Sequence, residues 1–255
     1  MPRRNAQNET RVDGNEPLTL LNHGSRMIGR KTGWALGAAT CVGAWLGTAG
    51  PALTGAWLRD DGTWFLSATA TLRQTETGRR TETEAYLEYG LRPRLTLGGN
   101  IYGVQGQSGH ALAFLRLPIL PLESETKLAF ELGAGAHYTG PEWSPMWKAG
   151  VSFGRGFRLA ENYGWVNVDA SYEDRLGDPS PLYKIETTIG QSTGGPLRPM
   201  MKFTASQIVG QDLTWKASAN LLIDGPGATT WIVGLEREEA NRSTTALSIG
   251  LWRNF

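Results

Sequence analysis

Charged side chains recur at alternate positions along much of this chain. They are Glu82, Glu84 and Glu88, then Arg116, Lys127, Glu131 and Lys148, then Asp169, Glu173, Lys184 and Glu186, and finally Lys202, Lys216 and Glu236. Residues two apart in an extended strand share a face at a spacing of about 7 Å, so such a row lines one side of a sheet with single charges. A row facing water sorts ions by sign, whereas opposed members that meet neutralise each other and close the space. Glu82, Glu84 and Glu88 are the densest part. The flanking strands are expected to put Thr69, Thr71, Asn100 and Tyr102 on the same face. The nearest base, Arg116, should then lie two strands away, about 9–10 Å across the sheet, leaving the three acids without an adjoining base.

Covalent chemistry has thinner material. His137 and Thr139 share a face two residues apart, the arrangement nearest to a His–Ser hydrolase pair set in one strand. A threonine needs an activating base and an orienting third group, and no such group stands out. His137 therefore reads as a wall or rim histidine, and His110 as an exposed-loop residue. Beyond the polar start only those two histidines remain, and Cys41 lies upstream, so no metal site is expected. Gly154-Arg155-Gly156 lacks the following helix that a phosphate-cradling loop requires. No cofactor is expected.

The elements that must carry the charges are strands. Thr126 to Tyr138 places Leu128, Phe130, Leu132, Ala134, Ala136 and Tyr138 on one face and Lys127, Glu131, Gly133, Gly135 and His137 on the other. Trp215, Ala217, Ala219 and Leu221 alternate with Lys216, Ser218 and Asn220, and Val166, Val168, Ala170 and Tyr172 with Asn167, Asp169, Ser171 and Glu173. The alternation predicts about twelve strands, near 63–73, 81–91, 94–105, 110–119, 125–138, 145–157, 162–174, 181–191, 199–208, 213–223, 228–238 and 243–255. Turn chemistry separates them at Arg92-Pro93-Arg94, Gly177-Asp178-Pro179, Thr193-Gly194-Gly195-Pro196 and Asp224-Gly225-Pro226-Gly227. The expected fold is all-β: one antiparallel up-and-down transmembrane barrel over 57–255, with ten or fourteen strands as the neighbouring solutions.

A soluble barrel would turn its apolar face inward. Glycine on the polar face (Gly98, Gly133, Gly135, Gly150, Gly154) favours a crowded lumen there. Aromatics near strand ends (Trp64, Tyr138, Trp147, Phe157, Tyr172, Tyr183, Trp231, Trp252, Phe255) favour two interfacial girdles. The mean hydropathy of −0.30 excludes a bundle of membrane helices but not a barrel, which is apolar only at alternate positions. Lys and Arg total 25 against 24 Asp and Glu, which argues against nucleic acid as a partner.

Upstream, residues 1–26 are polar and mixed in charge and read as disordered or as an over-extended start. From Met27 the pattern is secretory: Arg30-Lys31, an uncharged run from Thr32 to Leu58, and small residues around Ala52 to Ala56. Residues 27–56 are expected to be a signal peptide cleaved between Ala52 and Ala56, with 57–62 a short periplasmic lead. A permanent anchor is the competing reading, opposed by the glycines and Pro51 that interrupt the run.

The last strand ends Leu247-Ser248-Ile249-Gly250-Leu251-Trp252-Arg253-Asn254-Phe255. With Leu247, Ile249, Leu251 and the terminal Phe255 it resembles the C-terminal β-signal of Gram-negative outer-membrane barrels, Arg253 departing where that signal is usually apolar. Glu88 to Gly98 is similar to a strand–turn–strand unit of small transporter-type barrels. The resemblance implies Sec-type export, recognition by the barrel-assembly machinery and residence in outer-membrane lipid; a homo-oligomer fits it as well. Short connections and the lack of a plug domain point to a narrow passive channel for small polar or charged solutes. An outer-membrane lipid or ester hydrolase, and a structural or partner-binding barrel, are the alternatives.

Overall fold

The computed structural model describes residues 55–178, 180–192 and 196–255. The polar start and the expected signal peptide lie outside them, except for Gly55 and Ala56. Twelve strands form: β1 (Trp64–Thr75), β2 (Gly78–Arg92), β3 (Leu95–Val104), β4 (Ser108–Pro118), β5 (Thr126–Thr139), β6 (Glu142–Leu159), β7 (Asn162–Arg175), β8 (Leu182–Gln191), β9 (Leu197–Ile208), β10 (Thr214–Asp224), β11 (Thr229–Glu239) and β12 (Ser243–Asn254). Each pairs antiparallel with its neighbours in sequence, and β1 pairs with β12, so the sheet is a closed up-and-down barrel. The expected strands are all present, the largest shifts being β2 beginning at Gly78 and β6 at Glu142.

Period-two sequences make these strands because successive side chains must choose between two environments. Ile101 and Met201 are each 62 % exposed on the outside, while Arg73 and Glu88 are 0 % exposed inside. A soluble barrel would show the reverse, so the outer face is built for lipid. Outward-facing aromatics meet in pairs near the two rims, Trp64 with Tyr89 (4.4 Å between ring centroids) at one end and Tyr138 with Trp143 (4.8 Å) at the other. We call the end where β1 begins and β12 finishes the terminal end, and the other the far end. Most turns are tight; Gly140 takes φ +72° in the Gly140–Pro141 connection, where a side chain would strain the backbone.

Four expectations change. His110 lies within β4, facing inward and bonded to Asn100 (2.6 Å), since β4 begins at Ser108. Trp252 faces the lumen rather than a girdle, packing with Trp165 against Met200, Leu222 and Ile232. The inward face is thus not uniformly polar: near the terminal end a barrel this narrow fills part of its interior with apolar side chains. Third, the expected periplasmic lead over 57–62 leaves only Asp60 to Gly62 exposed, and the residues ahead of these do not extend away from the barrel. They turn into the barrel, burying Gly55 and Ala56, because apolar Ala56 and Trp57 find enclosed surface there and Arg59 finds Glu88. The fourth concerns the glutamates, described below.

Closure leaves no sheet edge from which unfolding can begin. Unheated protein should therefore migrate in detergent gels as a compact species distinct from the boiled chain. Identical mobility before and after boiling, with a helical circular dichroism spectrum, would contradict the closed sheet.

Candidate functional site

The charged row meets in the lumen, and the strands deliver its members at successive levels. At the far end Arg73 of β1 is the hub. Its guanidinium meets Glu82 of β2 at 2.6 Å, Glu238 of β11 at 3.1 Å, and Glu236 of β11. Lys216 of β10 reaches Glu238 at 2.9 Å, and Arg80 reaches Glu82 at 2.6 Å. Arg73, Glu238, Arg80 and Arg59 do not stand out in the sequence. Arg73 falls on the last position of the expected first strand, and the other three at or beyond strand limits, where parity is hardest to assign.

At mid-height the ion pairs are Arg116–Glu131 (2.6 Å), Lys148–Glu131 (3.0 Å), Lys184–Glu186 (3.2 Å) and Lys202–Glu186 (2.8 Å), while Arg175–Glu173 (2.9 Å) lies where β7 reaches the far end. Arg116 also pairs with Glu88, which corrects the expected isolation of that acid. Across the intervening β3 stands Gly98, with no side chain, and the Phe114 ring lies over it. The Arg116 guanidinium sits 5.1 Å from that ring's centroid and continues to Glu88, so a long arginine covers the two-strand gap. Glu88 further accepts from Tyr86 Oη at 2.6 Å and pairs with Arg59. Of the three clustered acids, Glu82 and Glu88 are therefore in ion pairs. Glu84 is held by an amide instead, Asn100 Nδ2 donating to its Oε1 at 2.7 Å, and its Oε2 has no hydrogen-bond partner among the described residues. Asp169 accepts from Asn167 Nδ2.

These groups surround a cavity of about 120 Å³ whose lining includes Glu84, Lys148, Asp169, Lys184 and Lys202, with Gly55 among its walls. Below it, at the terminal end, a wider recess of about 1100 Å³ is bounded by Trp57, Arg59, Phe65, Lys127, Trp165 and Trp252. Lys127 donates to the Leu122 carbonyl there.

His137 and Thr139 both face inward at the far end, but the imidazole Nε2 lies 3.2 Å from the Leu176 carbonyl oxygen. Thr139 Oγ1 has no hydrogen-bond partner among the described residues, so no His–Thr pair is formed. On the outer wall, Leu247, Ile249 and Leu251 face outward along β12, and Arg253 stacks on the Phe255 ring at 4.8 Å. The arginine in the terminal strand is thus carried at the rim by the aromatic beside it.

No family model matches the chain, and no curated protein matches it in sequence. Solved structures do share its shape. The NanC porin superposes with a TM-score of 0.56 at 10 % identity, covering 73 % of this chain and 98 % of that one. The KdgM porin in complex with disordered oligogalacturonate gives 0.50 at 8 % identity, covering 75 % and 99 %. The COG4313 outer membrane channel from Pseudomonas putida F1 gives 0.50 at 13 % identity, covering 77 % and 97 %. What these proteins share with this chain is the fold, an antiparallel barrel of the outer-membrane type.

Proposed function

We propose that the protein is a narrow passive channel of a bacterial outer membrane, admitting small polar or charged solutes after export and removal of its secretory segment. The observation that carries this reading is the mid-lumen cavity, walled by side chains of both signs rather than packed shut with apolar ones. A barrel serving only as a scaffold has no need to hold Lys148, Lys184 and Lys202 beside Glu84 and Asp169, given what each buried charge costs in desolvation. The likeness in fold to two porins and a channel supports the same reading. The KdgM porin is seen with an oligogalacturonate, a polyanion; the mixed lining here argues for small solutes of either sign instead.

Purified, refolded protein in a planar bilayer should show discrete, small unitary currents. Their absence under conditions where the barrel is folded would leave the structural-barrel alternative. Selectivity should turn on Glu84 and Asp169, the two cavity acids held by amides rather than by bases. Glu84→Gln combined with Asp169→Asn should move the reversal potential toward anions, most at low salt, where screening is weakest. A reversal potential that stays put in a conducting variant would remove these acids from the permeation path.

A further inference from the structure

The residues ahead of β1 cross the lumen from one wall to the other. Starting at Thr63 on the terminal rim, the chain passes Glu88 and Thr96, where Arg59 forms an ion pair with the first and its backbone N–H donates to the second at 3.0 Å. Its guanidinium also stacks on Phe65, 4.3 Å from the ring centroid. The chain then reaches the β6–β7 wall, where the Ala56 N–H donates to Asn167 Oδ1 at 3.4 Å and Gly55 lies against Ser152 and Asp169.

The wall is shaped for this passage. A Cβ added at Gly90 would overlap the Asp60 carbonyl, and one at Gly154 would overlap the Trp57 indole and the Ala56 methyl. Glycine thus stands where the backbone and the bulkiest side chain of the segment press against the strands. The position relative to the two spaces is equally specific. Gly55 borders the mid-lumen cavity, while Trp57 to Asp60 border the terminal recess. The segment is a partition between them.

We infer that Gly55–Asp60 is a tethered gate: a strap that separates the cavity from the terminal recess and must leave its seat for solutes to pass. The inference rests on the channel reading. The strap's hold is built for reversal. Its strongest contact is the Arg59–Glu88 pair, and Arg59 keeps 19 % of its side chain exposed, so water can replace the carboxylate as the strap withdraws. Glu88 does not lose its charge partner when this happens, because Arg116 remains on its other oxygen. A wall carboxylate shared between a fixed and a movable arginine lets the gate open without stranding a buried charge. Cleavage in the expected window would also leave the strap, wholly or from Trp57 onward, as an amino-terminal end whose one covalent tie to the barrel is at Thr63.

The test couples seating to conductance. Leu58→Cys, half-buried in the strap and beyond the expected cleavage window, in a Cys41→Ser background, should react slowly with a small water-soluble maleimide in the folded barrel. Adding Arg59→Ala should give roughly tenfold faster labelling, the shift expected when a charge-assisted bond holding the closed form is lost. The same release should raise the open fraction in planar bilayers. Gly154→Leu, which displaces Trp57 from the opposite wall, should act in the same direction without touching Arg59. Labelling as fast as in the unfolded chain, before any release mutation, would overturn the seat. Faster labelling with unchanged currents would overturn the gate. Release by labelling with no current in any variant would overturn the channel reading and the gate with it, while the labelling data upheld the seat.

Discussion

Replacing Arg73 with methionine should cost the folded barrel about 3–5 kcal/mol, the range for removing one partner from a buried ion pair. Arg73 is wholly enclosed and touches three carboxylates, Glu82, Glu236 and Glu238, from two different strands. It also donates to Thr244 Oγ1 of β12 at 3.3 Å. One side chain thereby bridges β2, β1, β12 and β11 on the inside of the closure seam. Methionine fills similar volume and keeps the wall packed, so the loss isolates the charge. Lys216 and Arg80 stay in place but face three acids instead of sharing them with a third base. Arg73→Lys should fall between, because a single ammonium cannot present the guanidinium's fork to three carboxylates. Urea titration of the refolded barrel, followed by tryptophan fluorescence, measures the change as a lowered midpoint. Neutralising one acid along with the base, in Arg73→Met with Glu236→Gln, should recover most of it, because Glu82 keeps Arg80 and Glu238 keeps Lys216. An unfolding midpoint equal to that of the parent protein in the single variant would mean that water already solvates this cluster.

That hub is not legible in the sequence, and the reason is geometric. Period two assigns a residue to a face; it says nothing about which residues meet across a tube. The strands, their antiparallel order and the outward direction of Ile101, Leu132 and Leu247 follow from alternation and from the cost of exposing or burying each face. Glu82, Glu88, Arg116 and Glu131 likewise fall inward as their parity requires. Their pairing does not follow from parity, because strand separation limits contact only for short side chains, and arginine and glutamate together span more than one strand spacing. Gly98 is a readable clue: a bare position between two charges leaves room for a reaching side chain. The inward Met200, Leu222 and Ile232 are hidden for a different reason. Met200-Met201 and Leu221-Leu222-Ile223 are apolar on both faces, and a run without alternation does not declare that one of its members fills a lumen. The strap leaves no periodic signal at all. It is irregular backbone placed by tertiary contacts, and only the basic Arg59 between apolar Trp57–Leu58 and acidic Asp60–Asp61 hints that it belongs anywhere in particular.

Removing Phe255 should abolish outer-membrane assembly in cells while leaving the barrel able to refold in detergent. The two effects separate because the residue's structural share is small. Phe255 is 60 % exposed, and its backbone exchanges two hydrogen bonds with Trp64, N–H to carbonyl at 3.0 Å and the reverse at 3.3 Å. Those bonds close the terminal edge of the β1–β12 seam, yet Phe65 to Gln74 remain in register with Asn254 to Thr245 without them. The stability loss should therefore stay near 1–2 kcal/mol, the worth of two ordinary hydrogen bonds. Assembly, if it depends on the terminal aromatic of a β-signal, loses its recognition element outright. Leu251→Asp makes the complementary case. Leu251 stands in register with Ala68 on one side and Trp231 on the other and faces lipid. A carboxylate there costs about 1–3 kcal/mol according to depth, so this variant should fail in cells and also refold less stably. Surface levels measured by protease protection of intact cells, set against urea midpoints of refolded protein, place each variant on both axes. Deletion of Phe255 with normal surface levels would show that β12 closes the barrel without serving as an address, and loss of both properties together would make its role structural.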